Sequence, residues 1–473
     1  MQSIPREQVL KRIEGENNWW AVPHRINEPY YAMKRRAYID LLIPLVTEMS
    51  VKRAVLLMGP RRVGKTVLIH HIIQHLIDNG VDPMNICYLS IDHPIYNGLG
   101  LHELMDLYLE ASGSSLSKEP VYLFFDEIQY LKGWEIHLKS LVDRYPEIKF
   151  VASGSAAAAL KLKSTESGAG RFTDFLLPPL TFYEYLDLLD KGDMIFESND
   201  IKDSHDTHDI DQLNDVFVHY LNYGGYPEAI FSNLIQSNLS RFIKSDIIDK
   251  VLLRDLPSLY GIHDIQELNS LFTTLAYNTA DEVSLEKLSQ SSGVAKNTIK
   301  RYIEYLEAAF LIKTVHRIDK NAKRFQRANF FKVYLTNPSI RSALFTPVTP
   351  DEESMGNIAE TGIYSQWFHS DTILFYARWK HGEVDMVHLK PNLMPVWAVE
   401  VKWTDRYVDR PHELSNLLAF CDRNRCRNAL VTTRTRYALK SIGGIQIEFI
   451  PASLYCYEVG YNLIKRRRTI LSL

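Results

Sequence analysis

Cysteine is scarce in these 473 residues: Cys87, Cys421, Cys426 and Cys456 are scattered, with no CxxC pair and no histidines at matching spacing. That excludes a disulfide framework and a finger-type zinc site, and it fits a reducing compartment. Long apolar runs are missing as well. No stretch reaches the ~18 residues that cross a bilayer, and Met1-Gln2-Ser3-Ile4-Pro5-Arg6-Glu7 lacks the apolar core of a signal peptide. The expected location is the cytoplasm, with no membrane partner. Nor is one sign of charge in excess: 54 Lys and Arg against 57 Asp and Glu leave a net −3, which argues against a uniformly basic nucleic-acid coat and leaves local basic patches open. Apolar residues are plentiful, 46% of the chain, enough at this length for about three domains.

The chain is organised around Gly59-Pro60-Arg61-Arg62-Val63-Gly64-Lys65-Thr66, which reads G-x-x-x-x-G-K-[ST]. Ala54-Val55-Leu56-Leu57-Met58 ahead of it suits a buried parallel strand, and Val67, Leu68, Ile69, Ile72, Ile73, Leu76 and Ile77 behind it repeat at helical spacing until Gly80. Strand, glycine loop and helix in that order turn backbone N–H groups and a helix dipole toward one anion. All eight loop residues are expected to bind ATP. Lys65 reaches its β- and γ-phosphates and Thr66 holds Mg²⁺.

Asn85 to Asp92 reads as a second strand, and Val121-Tyr122-Leu123-Phe124-Phe125 as a third, apolar strand that ends in Asp126 and Glu127. Asp126 is expected to bind Mg²⁺, and Glu127 to polarise the water that attacks the γ-phosphorus. The strand Lys149 to Ser155 ends in hydroxyls; Ser153 or Ser155 either senses the γ-phosphate or caps a helix. Gly170-Arg171 precedes a fifth strand, Asp174 to Leu177, where Arg171 either stabilises transition-state charge, in its own subunit or a neighbour's, or is a solvated salt-bridge partner. Strands alternating with helices imply a parallel sheet covered on both faces, with nucleotide at the carboxyl ends of its strands.

The remaining segments are less sharply marked. Lys34-Arg35-Arg36 enters an amphipathic run, Tyr38 to Met49, and reads as a solvated helix face or a contact to nucleotide or nucleic acid. Asp187 to Asp215 holds ten acidic residues, two lysines, His205 and His208, the composition of a mobile surface insertion. Residues 216–275 are helical, broken at Tyr223-Gly224-Gly225-Tyr226-Pro227-Glu228, and are expected to form a lid. In residues 283–318, Ser284 to Leu288 and Ala295 to Leu306 suggest the two helices of a winged-helix unit. Lys296, Asn297, Lys300 and Arg301 are placed there for a major groove or for plain scaffolding.

The last ~120 residues hold a second constellation. Gly382-Glu383-Val384-Asp385-Met386-Val387 and Val396-Trp397-Ala398-Val399-Glu400-Val401-Lys402 read as a hairpin turning at Pro391-Asn392. Glu400 and Lys402 share a face there, with Asp385 across from them. Two acids and a lysine suit a Mg²⁺ site for phosphodiester hydrolysis, with Glu360 a further acid; a polar outer strand face is the plainer reading. Arg423, Arg425, Arg427, Arg434 and Arg436 and the tail Lys465-Arg466-Arg467-Arg468 suit a phosphate backbone or a solvated face.

Together these pieces resemble a bacterial and archaeal family of AAA-type P-loop ATPases with a C-terminal domain similar to PD-(D/E)xK nucleases. The carriers are the 59–66 loop, Phe124-Phe125-Asp126-Glu127-Ile128-Gln129, Ser153-Gly154-Ser155, Gly170-Arg171 with Leu177-Pro178-Pro179-Leu180-Thr181-Phe182, Gly224 to Glu228, Arg254-Asp255, and the Asp385 and Glu400-Val401-Lys402 strands. Asn337 stands where relatives often have Asp, and Thr361 follows Glu360 where many have Asn. The resemblance implies an α/β chain: an ATPase core over 1–185, an acidic insertion over 186–215, a helical lid over 216–275, a winged-helix-like region over 276–335 and a nuclease-like domain over 336–473. It implies MgATP hydrolysis coupled to that last domain, DNA or RNA as candidate partner, and a homo-oligomer as a candidate assembly. The alternative is an ATP-switched DNA- or protein-binding regulator whose last domain is not catalytic.

Overall fold

A computed structural model describes residues 5–113, 119–154, 170–198, 204–323, 329–368, 370 and 372–471. The chain divides into two compact units, residues 1–178 with 464–473, and residues 179–463. Among the described residues no helix is long and apolar enough to cross a membrane.

The first unit is built on β1 (Ala54–Met58), β2 (Ile86–Ser90), β3 (Val121–Asp126), β4 (Ile148–Gly154) and β5 (Phe172–Leu176). All pairs are parallel, in the spatial order β2-β3-β4-β1-β5. Every residue of β1, β3 and β4 is buried, which is what continuous apolar runs achieve in a sheet covered on both faces. Helices Lys65–Asp78, Leu101–Ser112 and Trp134–Arg144 connect the strands. Because β4 lies between β1 and β3, its end stands between the loop after β1 and the acids after β3.

Lys34-Arg35-Arg36 does not enter a helix; the helix begins at Ile39 and runs to Thr47. Arg36 is buried, not a solvated face.

In the second unit, β6 (Ile195–Glu197) and β7 (His205–Thr207) pair antiparallel, and a helix runs over Ile210–Tyr223. The described part of the acidic stretch is therefore folded, because Leu188, Ile195 and Leu213 are spaced to enter the core despite the charges around them. His205 packs its ring against Tyr457 and Tyr461. The break between helices is forced by contact: a Cβ on Gly225 would stand 2.4 Å from Asn337 Oδ1.

Nine further strands form one sheet: β8 (Glu282–Ser284), β9 (Ile312–Ile318), β10 (Phe330–Leu335), β11 (Leu374–Trp379), β12 (Gly382–Leu389), β13 (Pro395–Glu400), β14 (Asn428–Thr433), β15 (Ala438–Ile442) and β16 (Ile445–Pro451). Their order is β15-β16-β14-β13-β12-β11-β9-β10-β8. Helices Leu285–Ser292 and Lys296–Ala308 follow β8, the first closed by Gly293 at φ +73°. The regions expected as 276–335 and 336–473 are not separate, since β11 pairs in parallel with β9 through Phe375↔His316 to Ala377↔Ile318. Helix Ser415–Arg423 carries the chain from β13 to its parallel neighbour β14, packing Leu417 and Phe420 on Val387, Ala398 and Val431.

Candidate functional site

The loop after β1 has the backbone its sequence demands. Gly59 lies at φ +159° with Leu177 O only 2.2 Å from where a Cβ would stand, and Gly64 at φ +94° opens the helix. Lys65 is 5% exposed and donates to Gly59 O at 3.0 Å and Pro60 O at 2.9 Å, so its ammonium lies inside the loop. Arg36 ties that loop to the chain after β5, donating to Val63 O at 3.0 Å and Pro178 O at 2.8 Å. Arg36→Met is expected to leave these carbonyls unsatisfied and cost about 1–3 kcal/mol for each, read as a lower denaturation midpoint. An unchanged midpoint would show that Arg36 does not brace the loop.

Asp126 is 2% exposed at the end of β3. It accepts from Thr66 Oγ1 at 2.7 Å, from the Tyr88 hydroxyl at 2.8 Å and from Ser153 Oγ. Ser153 in turn accepts from Glu127 N at 3.1 Å, so it holds both acidic positions at once. Glu127 sits at φ +54°, and its carboxylate accepts from Gln129 Nε2. One helical turn beyond Thr66, the His70 ring stacks on Tyr30 at 4.0 Å and lies 4.7 Å from Tyr88. Burial, with His71 beside it, pushes His70 down to about 3, so that turn of the helix adds no charge near Asp126.

Residues 59–66, 126, 127 and 153 are thus brought together. Arg171 is not: it stands before the first residue of β5, at the amino edge of the sheet, and pairs with Asp143. A five-residue strand puts roughly 16 Å between that edge and the loop, and the exposed pair with Asp143 is the solvated salt bridge given as the alternative expectation. Ser155 lies outside the described residues.

The second constellation is assembled around a residue the sequence reading missed. Met386↔Val399 register brings Asp385 and Glu400 opposite each other at the end of the β12–β13 ladder. Lys402 Nζ lies 2.8 Å from Glu400 and 3.6 Å from Asp385, and Val401 N donates to Asp385 at 2.9 Å. Glu360, on helix Met355–Trp367, joins them through Lys332 of β10. Lys332 Nζ lies 3.0 Å from Glu360, 2.7 Å from Glu383 and 3.5 Å from Asp385, with the side chain 4% exposed. Among the described residues no group of three or more His, Cys, Asp or Glu is disposed to hold a metal, so the expected Glu360, Asp385 and Glu400 cage is not formed. An ammonium stands between its members.

Electrostatics follow from that arrangement. Against the effect of burial, Lys402, Lys332 and the Val401 N–H hold Asp385 below its usual range. Burial raises Glu360 to about 7 against the pull of Lys332. Glu400, with Oε2 unpartnered, is pushed by burial and by Asp385 from 4.5 up to about 8. The folded state then keeps a proton that the unfolded chain releases, so this group's contribution to stability falls as pH rises from about 4.5 to about 8. Glu400→Gln is expected to flatten the fall in melting temperature across that window; an unchanged slope would clear Glu400 as its source.

Other basic positions are paired as exposed ion pairs: Arg434 with Asp351 at 3.1 Å, Arg436 with Asp409 at 2.6 Å, Lys296 with Glu286 at 3.0 Å.

Residues 51–186 match the family described as an AAA domain, and residues 214–352 match one described as a domain of unknown function. An uncharacterized protein of Haemophilus influenzae is 24% identical over 426 residues, covering 88% of this chain and 97% of that one. Another, of Methanocaldococcus jannaschii, is 27% identical over 373 residues, 73% of each. Among solved structures, the replication initiator DnaA bound to AMPPCP and single-stranded DNA is similar at a TM-score of 0.30 and 13% identity, over 59% of this chain and 92% of that chain. With the loop geometry and the parallel sheet, the family match makes residues 51–186 similar to the AAA domains of P-loop ATPases, which supports ATP binding.

Proposed function

We propose that the first unit binds MgATP and hydrolyses it. The observation that carries this is the Thr66, Asp126, Ser153 and Glu127 network beside a loop whose Gly59 admits no side chain. The donor set fits a hydrated Mg²⁺, with Thr66 and Asp126 as the residues that would hold it. Bound Mg²⁺ neutralises charge on the phosphate oxygens. Lys65 exchanges its two loop carbonyls for phosphate oxygens, the main-chain N–H groups of 59–66 cradle the anion, and Glu127 orients water once Gln129 releases it. Arg171 would serve only a neighbouring subunit.

For the second unit the nuclease-like reading draws support from strand order, from the helix between β13 and β14, and from Asp385, Glu400 and Lys402 meeting at one end of β12 and β13. The helix pair 285–308 with the β9–β10 hairpin is read as a winged helix, and DNA or RNA remains the partner class proposed. Lys332 favours the rival within this reading, an ATP-switched binding regulator without cleavage. Calorimetry with MgATP analogue and phosphate release test the first claim: wild type binds and hydrolyses, Lys65→Ala does not bind, and normal hydrolysis in Lys65→Ala and Glu127→Gln together would defeat it.

A further inference from the structure

We infer that the Lys332 ammonium is the resident cation of the carboxylate cluster and keeps divalent metal out of it. This rests on reading residues 336–473 as nuclease-like, since that reading supplies the expectation of a shared metal at Glu360, Asp385 and Glu400, and it reverses the expectation for this chain.

The positions leave little choice. Lys332 Nζ is within 3.5 Å of three carboxylates, and Lys402 covers Glu400 and the other face of Asp385. Two buried or half-buried ammonium groups, with the Arg378 guanidinium 3.0 Å from Glu383, therefore serve four carboxylates. Mg²⁺ demands near-octahedral oxygens at about 2.0–2.1 Å, and the Glu360, Glu383 and Glu400 oxygens that already accept from an ammonium at 2.7–3.0 Å are not free to take that geometry. A dication would also meet an unscreened positive charge, because the Lys332 side chain is 4% exposed.

Nor can Lys332 step aside easily. Its backbone is fixed by pairing on both edges, to Val315 of β9 and Glu282 of β8. The ammonium lies 5.7 Å from the Tyr376 ring, and Tyr334 donates to Glu360 at 2.6 Å, so the far side of the cluster is closed by phenols and not by ligand oxygens of a cage. The cluster is an ion network in which every carboxylate has a cation beside it. A polyanion held by this domain is held without Mg²⁺.

The test uses the full chain free of nucleotide, titrated with Mn²⁺ while free Mn²⁺ is followed by electron paramagnetic resonance. Wild type is expected to show no stoichiometric binding up to about 1 mM. Lys332→Met is expected to bind one Mn²⁺ per chain at least about tenfold more tightly, and Lys332→Met with Asp385→Asn to lose it. One Mn²⁺ bound by wild type and lost in Asp385→Asn overturns the inference, as does Lys332→Met behaving like wild type. Lys332→Gln repeats the measurement should the methionine variant not fold, and the wild-type arm needs no variant. Incubation with plasmid and single-stranded DNA separates the two readings: cutting by Mn²⁺-loaded wild type overturns the inference and upholds the nuclease, whereas a Lys332→Met protein that binds Mn²⁺ and does not cut upholds the inference and removes the nuclease.

Discussion

Glu127→Gln is expected to retain MgATP affinity and lose about 10²–10⁴-fold in phosphate release, while Lys65→Ala loses binding itself. Glutamine keeps the length and the hydrogen bond to Gln129, and the Glu127 main chain stays pinned by Ser153 Oγ. Asp126 keeps its three hydroxyl donors, so the metal-holding side of the site is untouched. Only the capacity to accept a proton from water is removed. Lysine 65 acts at an earlier step, since without its ammonium the loop lacks the cation that meets the β- and γ-phosphates. Equal loss of binding in both variants would mean that Glu127 is structural. Full hydrolysis in Glu127→Gln would move the base elsewhere.

Lys332→Met is expected to lower the stability of the second unit by about 3–5 kcal/mol, because it strips the counter-ion from buried carboxylates without removing them. The first unit should keep its own unfolding transition. Removing the paired charge as well, by adding Glu360→Gln, should recover part of the loss, and the double-mutant cycle gives the coupling. Mn²⁺ offers a second route to recovery: at 100 times its dissociation constant a bound ion adds about 2.7 kcal/mol. A variant as stable as wild type would show that the ammonium is not what neutralises Glu360, Glu383 and Asp385. The measurement is denaturant unfolding followed by fluorescence.

The sequence made much of the first site readable because its parts are local. The loop consensus sits within eight residues, and β1 and β3 are apolar throughout, as strands covered on both faces must be. Arg36 was hidden by its company: two lysine or arginine neighbours made it look like one face of a helix, yet the helix starts only at Ile39. For Arg171 the two expectations stayed open, because glycine and arginine before a strand say nothing of which edge of the sheet that strand begins on; its exposed pair with Asp143 matches the salt-bridge alternative.

Lys332 was harder. A single lysine in Phe-Phe-Lys-Val-Tyr-Leu breaks an apolar run, and that was the available signal. Its partners lie on a different helix and a different strand, and the parallel pairing of β11 with β9 that brings them near has no local signature. The acidic stretch misled through average composition, since a few well-spaced apolar residues were enough to fold its described part.

That parallel pairing has a mechanical result. The helix pair 285–308 and the carboxylate cluster hang from one continuous plate of hydrogen-bonded backbone, so a push on the helices tilts the cluster with them and does not hinge it open. Separating the two would require unzipping the ladder between residues 316–318 and 375–377.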